Sequence, residues 1–234
     1  MFSVNETVIE VSIAAAPSVL WPALRDPSLI RRWFGWDYDG LDDEITQIYG
    51  TAVADPDAHT LELGNGDRFA LIDQGGRTIV RMTRPPQVPD DEWYEDITEG
   101  WTTFLHFLKF GVEHHGLAER RTIYLDGPLI PGESAASILG ASSLPVEAGG
   151  RYTATLAPGD YADGIVDFVS SLQTGVTIED LGPGLLVVAA KPTVPYRAQQ
   201  ELQIILATYD LSADEFDEIE HHWKQWWDGR SRQE

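Results

Sequence analysis

Residues 7–36, TVIEVSIAAAPSVLWPALRDPSLIRRWFGW, decide how this chain begins to fold. Apolar and polar side chains alternate over 7–13, which predicts a strand that is buried on one face. Pro17 and Pro27 then predict the first turns of two short helices, where a missing N–H costs nothing, and Asp26 is a suitable cap for the second. One strand followed by two short helices is typical of a chain that plugs one end of a curved sheet.

The composition excludes several classes of partner. The 234 residues include 16 Lys and Arg against 38 Asp and Glu, and the net charge of −22 argues against nucleic acid and anionic membranes. Because cysteine is absent, no disulfide, thiolate nucleophile or cysteine metal site can form. No apolar run reaches the roughly 20 residues that span a bilayer, and the first residues lack the basic region followed by an apolar stretch that is typical of a secretory leader. We therefore expect a cytoplasmic protein, and the use of Asp, Trp and Arg with little Lys is typical of a GC-rich bacterium.

The next segments predict an antiparallel sheet. Residues 44–53 alternate in a way that favours a strand with Tyr49 on one face. Further strands are predicted over 60–63, 68–72 and 77–84, joined by turns at Asn65-Gly66-Asp67 and Gln74-Gly75-Gly76. Pro85 and Pro86 end this sheet.

A long helix follows the sheet. Asp96 and Glu99 have the spacing of a capping box, and Gly116 is a suitable C-terminal stop. Between them, helical spacing predicts one apolar stripe, formed by Trp101, Leu105, Leu108 and Val112 and widened by Phe104 and Phe107.

The second half repeats this order of elements with little identity of residues. A strand at 121–125 and a short helix at 132–139 precede predicted strands at 152–156, 162–170, 174–179 and 185–190. Helices are predicted over 196–209 and 214–227, the latter with a capping box at Ser212 and Glu215. We expect two domains, 1–118 and 119–234, the second a divergent or truncated copy of the first. The alternative is one domain with a long C-terminal extension.

Several separated motifs carry a family resemblance over residues 4–116. They are the run 8–35, the Asp39-Gly40 turn, Gly66-Asp67-Arg68-Phe69, the strand with Thr78, and Gly100-Trp101. In this order they resemble the SRPBCC, or START-like, superfamily, and most of all its bacterial branch of homologues of the heat-shock ATPase activator. The resemblance implies an α+β helix-grip fold, in which a curved antiparallel sheet wraps around a long helix. The first half has one predicted strand fewer than this family usually has.

The resemblance also implies an apolar cleft between sheet and helix, which in many members binds a small ligand. The residues that would line it in this chain are Trp33, Phe34, Tyr49, Phe69, Arg81, Met82, Trp101, Leu105 and Leu108. The simpler interpretation is that the apolar members of this set fill the core. Arg81 would have to pair with a carboxylate or an anionic ligand group if its face of the strand turns inward.

Motifs for catalysis, metals and cofactors are absent from the sequence. The pairs His114-His115 and His221-His222 cannot chelate one ion from a single helix face, because adjacent helical residues point about 100° apart. There is no His-Glu-x-x-His motif, no Gly-x-Ser-x-Gly elbow and no phosphate loop. The sequence thus predicts no metal, no cofactor and no catalytic residue.

Three functions remain, in order of preference. The first is non-catalytic binding of a small apolar or aromatic ligand in the first domain. The second is a polyketide cyclase or aromatase that uses Arg81, His106 and Tyr49, and the third is a protein-interaction module that assists a chaperone. Trp223, Trp226 and Trp227 on the last helix are predicted to cover the second sheet, with a homodimer or other protein interface as the alternative.

Overall fold

A computed structural model describes residues 6–88, 91–130, 134–140, 147–179, 181 and 183–230, without the side chains of 135 and 136. The chain divides into two compact units, Met1–Glu119 (unit 1) and Arg120–Glu234 (unit 2). Each unit is α+β, with one antiparallel sheet and one long C-terminal helix.

Unit 1 contains a five-stranded sheet. Its elements are β1 (Thr7–Ile13), α1 (Pro17–Ala23), α2 (Pro27–Ile30), α3 (Leu41–Tyr49), β2 (Val53–Asp55), β3 (Thr60–Glu62), β4 (Arg68–Asp73), β5 (Thr78–Arg84) and α4 (Tyr94–His115). The strand order is β1-β5-β4-β3-β2, so the first strand lies beside the last. Residues 74–76 form the β4–β5 turn, and Gly66 in the β3–β4 turn has a positive φ of 88°, as a tight turn requires.

The two proline-started helices are confirmed. Pro17 and Pro27 are the first residues of α1 and α2, and the Asp26 carboxylate accepts a hydrogen bond from Ser28 N–H at 2.9 Å. The chain that leaves α2 is fixed by Trp33, whose indole N–H donates to the Ala23 carbonyl at 2.9 Å. This bond holds Trp33 and the adjacent Phe34 inside unit 1.

The strand predicted over 44–53 is wrong, because Leu41–Tyr49 is a helix. Leu41, Ile45 and Tyr49 are spaced by four residues and form the buried face of α3. Three acidic residues in its first turn favour the helix through the positive end of its dipole. The local alternation of side chains was the weaker signal over this segment.

The long helix is confirmed, with one change at its start. α4 begins at Tyr94 and has Trp93 as its N-cap, so Asp96 lies in the first turn and is not the cap that the sequence predicted. It ends at His115, and the capping residue Gly116 has the left-handed conformation expected of a C-terminal stop. The predicted stripe is buried at Trp101, Leu105 and Leu108.

Unit 2 contains a six-stranded sheet. Its elements are β6 (Arg121–Pro128), α5 (Ala135–Ile138), β7 (Arg151–Thr155), β8 (Tyr161–Val169), β9 (Gln173–Ile178), β10 (Gly184–Ala190), β11 (Glu201–Thr208) and α6 (Ala213–Arg230). The order is β6-β11-β10-β9-β8-β7, so here too the first strand pairs with the last and the others form a meander. The helix predicted from 132 lies partly outside the described residues, since 131–133 are not among them.

The helix predicted over 196–209 is wrong, because Glu201–Thr208 is strand β11. This strand lies between β6 and β10, and its Leu202, Ile204 and Leu206 join the apolar core of unit 2. A continuous apolar run is compatible with either a helix or a buried strand, so the periodicity of this segment was ambiguous.

The final helix is confirmed at its start and on its buried face. Ser212 and Glu215 form the predicted capping box, in which Ser212 N–H donates to the Glu215 carboxylate at 2.9 Å. Glu215 N–H donates back to Ser212 Oγ at 3.3 Å. Trp223 is buried in the apolar core that α6 shares with the sheet of unit 2. Trp226 and Trp227 pack against that core.

Candidate functional site

A buried ion pair lies inside unit 1, between Asp67 and Arg84. Arg84 Nε is 3.2 Å from Asp67 Oδ1, and both side chains are at most 5% exposed. Asp67 is held by the turn before β4, where its N–H donates to Asn65 Oδ1 and its Oδ2 accepts from Asn65 Nδ2, each at 3.0 Å. Burying two charges is costly, so the pair persists only because its remaining polar atoms are also bonded.

The pair connects the sheet to α4. Trp101 Nε1 donates to Asp67 Oδ2 at 3.1 Å. Arg84 Nη1 donates to the Tyr94 carbonyl at 2.6 Å and to Thr98 Oγ1 at 2.5 Å, and its guanidinium lies 4.3 Å from the centre of the Tyr94 ring. The carboxylate of Asp67 therefore already accepts from three side chains and fixes the Trp101 ring.

Tyr49 places an unpaired hydroxyl in the same interior. Its side chain is buried, and among the residues that the structure describes its Oη has no hydrogen-bond partner. Burial, with a smaller contribution from the negative charge of Asp67, raises the pKa of Tyr49 well above its usual value. The hydroxyl is therefore neutral and has a free proton to donate.

Aromatic rings surround these polar groups. Phe34 lies 4.8 Å from Phe104, 5.5 Å from Trp101 and 6.0 Å from Tyr49, measured between ring centres. Phe69 lies 5.5 Å from Trp101 and 6.4 Å from Trp33. Ring contacts thus join five of the predicted site residues, Trp33, Phe34, Tyr49, Phe69 and Trp101.

The other apolar candidates are buried as well. Met82 lies directly opposite Phe69 in the β4–β5 register, and Leu105 and Leu108 are buried on α4. Burial of apolar side chains is equally what a core requires. The functional information therefore comes from the polar groups in this interior.

Arg81 does not belong to this interior. Val80 and Met82 are buried on β5, so the alternation of the strand turns Arg81 to the opposite face. There it is exposed and pairs with Glu10, its register partner on β1, with 2.5 Å between Nε and Oε1. The proposed inward role of Arg81 is therefore wrong.

Neither a metal centre nor a membrane span is found in the described part of the chain. No three His, Asp or Glu residues among those described lie close enough together to hold a metal ion. Within the same residues, no helix has the length and apolar character needed to cross a membrane.

The chain was compared with protein families and with solved structures. No family model and no curated protein matches it. Among solved structures it is similar to DynU16 from the dynemicin biosynthetic locus, with 13% identity and a TM-score of 0.33 over 95% of each chain. It is also similar to BexL, a di-domain ARO/CYC from the BE-7585A biosynthetic pathway, with 10% identity and a TM-score of 0.38 over 87% of this chain and 84% of BexL. For StfQ, a di-domain ARO/CYC from the steffimycin pathway, the identity is 10% and the TM-score 0.33 over 86% and 83%.

Sequence reasoning missed Asp67 and Arg84. The sequence places Asp67 in the Asn65-Gly66-Asp67 turn and in the Gly66-Asp67-Arg68-Phe69 motif, and Arg84 at the end of the strand predicted over 77–84, but it does not predict that they pair. A usable signal was the charge of Arg84 on the face that Val80 and Met82 bury, because a buried arginine requires an acidic partner.

The raised pKa of Tyr49 predicts how unit 1 responds to alkaline pH. A tyrosine in the unfolded chain ionises near pH 10. At that pH Tyr49 of the folded chain is still protonated, because its pKa is raised. Since the folded pKa is the higher one, ionisation of this group does not affect the free energy of unfolding below about pH 10, and it lowers that free energy as the pH rises beyond it. We expect the ultraviolet titration of the eight tyrosines to lose one late-ionising component in Tyr49→Phe. Loss of a component that ionises near pH 10 instead, with the late-ionising part of the curve unchanged, would contradict the assignment.

Proposed function

We propose that unit 1 binds a small, neutral, largely aromatic ligand between its sheet and α4, with the Tyr49 hydroxyl donating a hydrogen bond to a ligand oxygen. The observation that carries this proposal is the buried Tyr49 Oη, which has no partner among the described residues. An unsatisfied buried polar group costs about 1–3 kcal/mol. Phenylalanine would fill the same space without this cost, so the hydroxyl is best explained by a partner that arrives with the ligand.

The charges around Tyr49 favour a neutral ligand. Asp67 is close enough to raise the pKa of Tyr49, and it would repel an anionic oxygen bound at the same hydroxyl. The net charge of −22 also disfavours the approach of anions. A ketone or quinone oxygen meets both conditions because it accepts a hydrogen bond and carries no charge.

The aromatic surroundings favour a planar ligand. Phe34, Phe69 and Trp101 present ring faces and edges in the same interior as Tyr49, and stacked or edge-to-face ring pairs add to the area that is buried. Burial of about 300 Å² of ligand surface gives roughly 7 kcal/mol before the costs of association. After those costs, micromolar affinity is the expected range.

A cyclase or aromatase activity is the second candidate. One observation favours it, namely that a tyrosine hydroxyl kept neutral in an apolar interior can act as a general acid toward a ligand carbonyl. Loss of turnover of an aromatic polyketide in Tyr49→Phe, with binding of the substrate reduced no more than about tenfold, would support this activity.

We further propose that residues 1–118 and 119–234 are two domains related by duplication. The shared strand order of units 1 and 2 supports this, since in each the first strand pairs with the last and a long helix follows. The α+β helix-grip fold, which the family resemblance implies for the first half, likewise has a sheet followed by a long helix.

The substitution Tyr49→Phe tests the binding proposal through two opposite effects. Without ligand, it removes an unsatisfied hydroxyl and is expected to stabilise unit 1 by about 1 kcal/mol. The same change is expected to weaken binding of fluorenone, a planar aromatic ketone, by about tenfold. Differential scanning calorimetry and isothermal titration calorimetry measure the two effects.

Matched controls separate the hydroxyl from the ring. Fluorene has the shape of fluorenone without the oxygen, so its binding is expected to be the same in the parent protein and in Tyr49→Phe. Tyr161→Phe removes a hydroxyl from an exposed side chain and is expected to change neither stability nor binding. Equal affinity of Tyr49→Phe and the parent protein for fluorenone would refute the assigned role of the hydroxyl.

A further inference from the structure

Unit 2 contains its own unsatisfied donor, on the tryptophan at the centre of its core. Trp223 lies on α6, is fully buried, and belongs to the apolar cluster that includes Leu186, Val188 and Ile204 of the sheet. Its Nε1 is buried and has no acceptor among the residues that the structure describes. The indole N–H is a donor with a fixed direction, so unlike a hydroxyl it cannot turn its proton toward another acceptor.

In two other buried tryptophans of this protein the indole N–H is hydrogen-bonded. The Nε1 of Trp33 donates to the Ala23 carbonyl at 2.9 Å, and that of Trp101 donates to the Asp67 carboxylate at 3.1 Å. Both belong to unit 1, where each bond fixes the orientation of its ring. Trp223 differs from them in having the burial without the bond.

The surroundings of Trp223 define what a partner would have to be. The cluster around it is made of apolar side chains, and its Tyr152 hydroxyl is already satisfied by donating to the Thr177 carbonyl at 2.7 Å. A partner must therefore be largely apolar and must bring its own acceptor oxygen.

Two further tryptophans of the same helix pack against this core. Trp226 and Trp227 are partly buried against the cluster, with 5.9 Å between the ring centres of Trp223 and Trp226 and 5.7 Å between those of Trp226 and Trp227. The guanidinium of Arg230 lies 3.9 Å from the centre of the Trp227 ring. Amphipathic rings at an edge suit contact with a planar aromatic ligand.

We propose that unit 2 holds a second binding site, in which Trp223 Nε1 donates a hydrogen bond to the carbonyl oxygen of a neutral aromatic ligand held between α6 and the sheet. This site does not depend on Tyr49 or on the function proposed for unit 1. Together the two proposals give two ligand molecules per chain.

A ¹⁵N–¹H correlation spectrum of the whole protein tests this directly, because each of the eight tryptophan indoles gives its own signal. Trp223→Phe assigns the signal of interest by its loss. On addition of fluorenone to the parent protein, we expect the Trp223 indole proton to move downfield as the hydrogen bond forms. Fluorene, which has no acceptor, is expected to leave that proton without a downfield shift and to bind unit 2 about tenfold more weakly.

Two variants keep the outcomes for the two units apart. In Tyr49→Phe, the fluorenone-induced shift of Trp223 is expected to persist, whereas in Trp223→Phe the binding that depends on Tyr49 persists. Trp93→Phe is the matched control, since it removes the indole of an exposed tryptophan outside unit 2 and leaves the Nε1 donor of Trp223 in place. If Trp223→Phe does not fold, the Trp223 signal is assigned in the wild-type protein from nuclear Overhauser contacts of its indole proton to the apolar side chains of its cluster.

The proposal is overturned if the Trp223 indole proton does not respond to fluorenone at concentrations that saturate unit 1. It is also overturned if that proton is hydrogen-bonded to a resident water molecule that fluorenone does not displace. A downfield shift caused equally by fluorene would refute the role of the carbonyl oxygen.

Discussion

Replacing Asp67 by alanine is expected to lower the free energy of unfolding of unit 1 by about 3–5 kcal/mol. The change leaves the buried guanidinium of Arg84 without its counter-charge and removes the acceptor of the Trp101 indole. It also breaks the bond from the Asn65 side chain that shapes the turn before β4. Equilibrium denaturation followed by tryptophan fluorescence measures the loss.

Arg81 and Glu10 provide the matched control for that experiment. Their ion pair joins two neighbouring strands of the same sheet, but both side chains are more than 40% exposed. Exposed pairs contribute at most about 1 kcal/mol, so Arg81→Ala is expected to change stability only slightly. Similar losses of stability for Asp67→Ala and Arg81→Ala would contradict the prediction, because the buried pair would then contribute no more to stability than the exposed pair.

The second large effect is expected from Gly164→Ala in unit 2. A Cβ at position 164 would lie 2.2 Å from the carbonyl oxygen of Thr177, far inside van der Waals contact. That carbonyl is not free to move, because it accepts the hydroxyl of Tyr152 at 2.7 Å. We expect a loss of about 3 kcal/mol in unit 2, caused by the separation of β8 from β9.

Gly229 is the matched control in the same unit. It lies in α6, and a Cβ added there would meet nothing within 4 Å. Alanine is the better helix former, so Gly229→Ala is expected to stabilise unit 2 by up to about 1 kcal/mol. Calorimetry of both variants measures the difference. A loss below about 1 kcal/mol for Gly164→Ala would contradict the prediction, because it would show that β8 and β9 can move apart at little cost to accept the Cβ.

The sequence predicts those parts of the fold whose signals are local. Pro17, Pro27 and Asp26 specify the two short helices, and the glycine turns specify the hairpins, because each acts through its own backbone geometry. Ser212 and Glu215 define the start of α6 in the same way.

The errors arise where the deciding interaction is distant in the sequence. The segment 44–53 alternates weakly, and its helix becomes evident only when Leu41 is included in the buried face. Strand β11 is chosen over a helix by its neighbours β6 and β10, one of which lies about 80 residues earlier. Tertiary pairing of this kind overrides local propensity.

The candidate site was predicted only in its apolar part. Trp33, Phe34, Phe69 and Trp101 are expected to line the cleft that the family resemblance implies, and ring contacts join them in the structure. The pairing of Asp67 with Arg84 could not be read from spacing, since the two residues come from a turn and a strand end. Tyr49 was named as a candidate, but its unpaired hydroxyl depends on α3, which the sequence reading had assigned to a strand.

The most direct measurement is a crystal structure of the protein grown with fluorenone. Binding in unit 1 predicts the ligand between the sheet and α4, among Phe34, Phe69 and Trp101, with its carbonyl oxygen about 2.7 Å from Tyr49 Oη. A closed aromatic interior that excludes the ligand, with Tyr49 Oη bonded to a resident water, would contradict the proposed binding function.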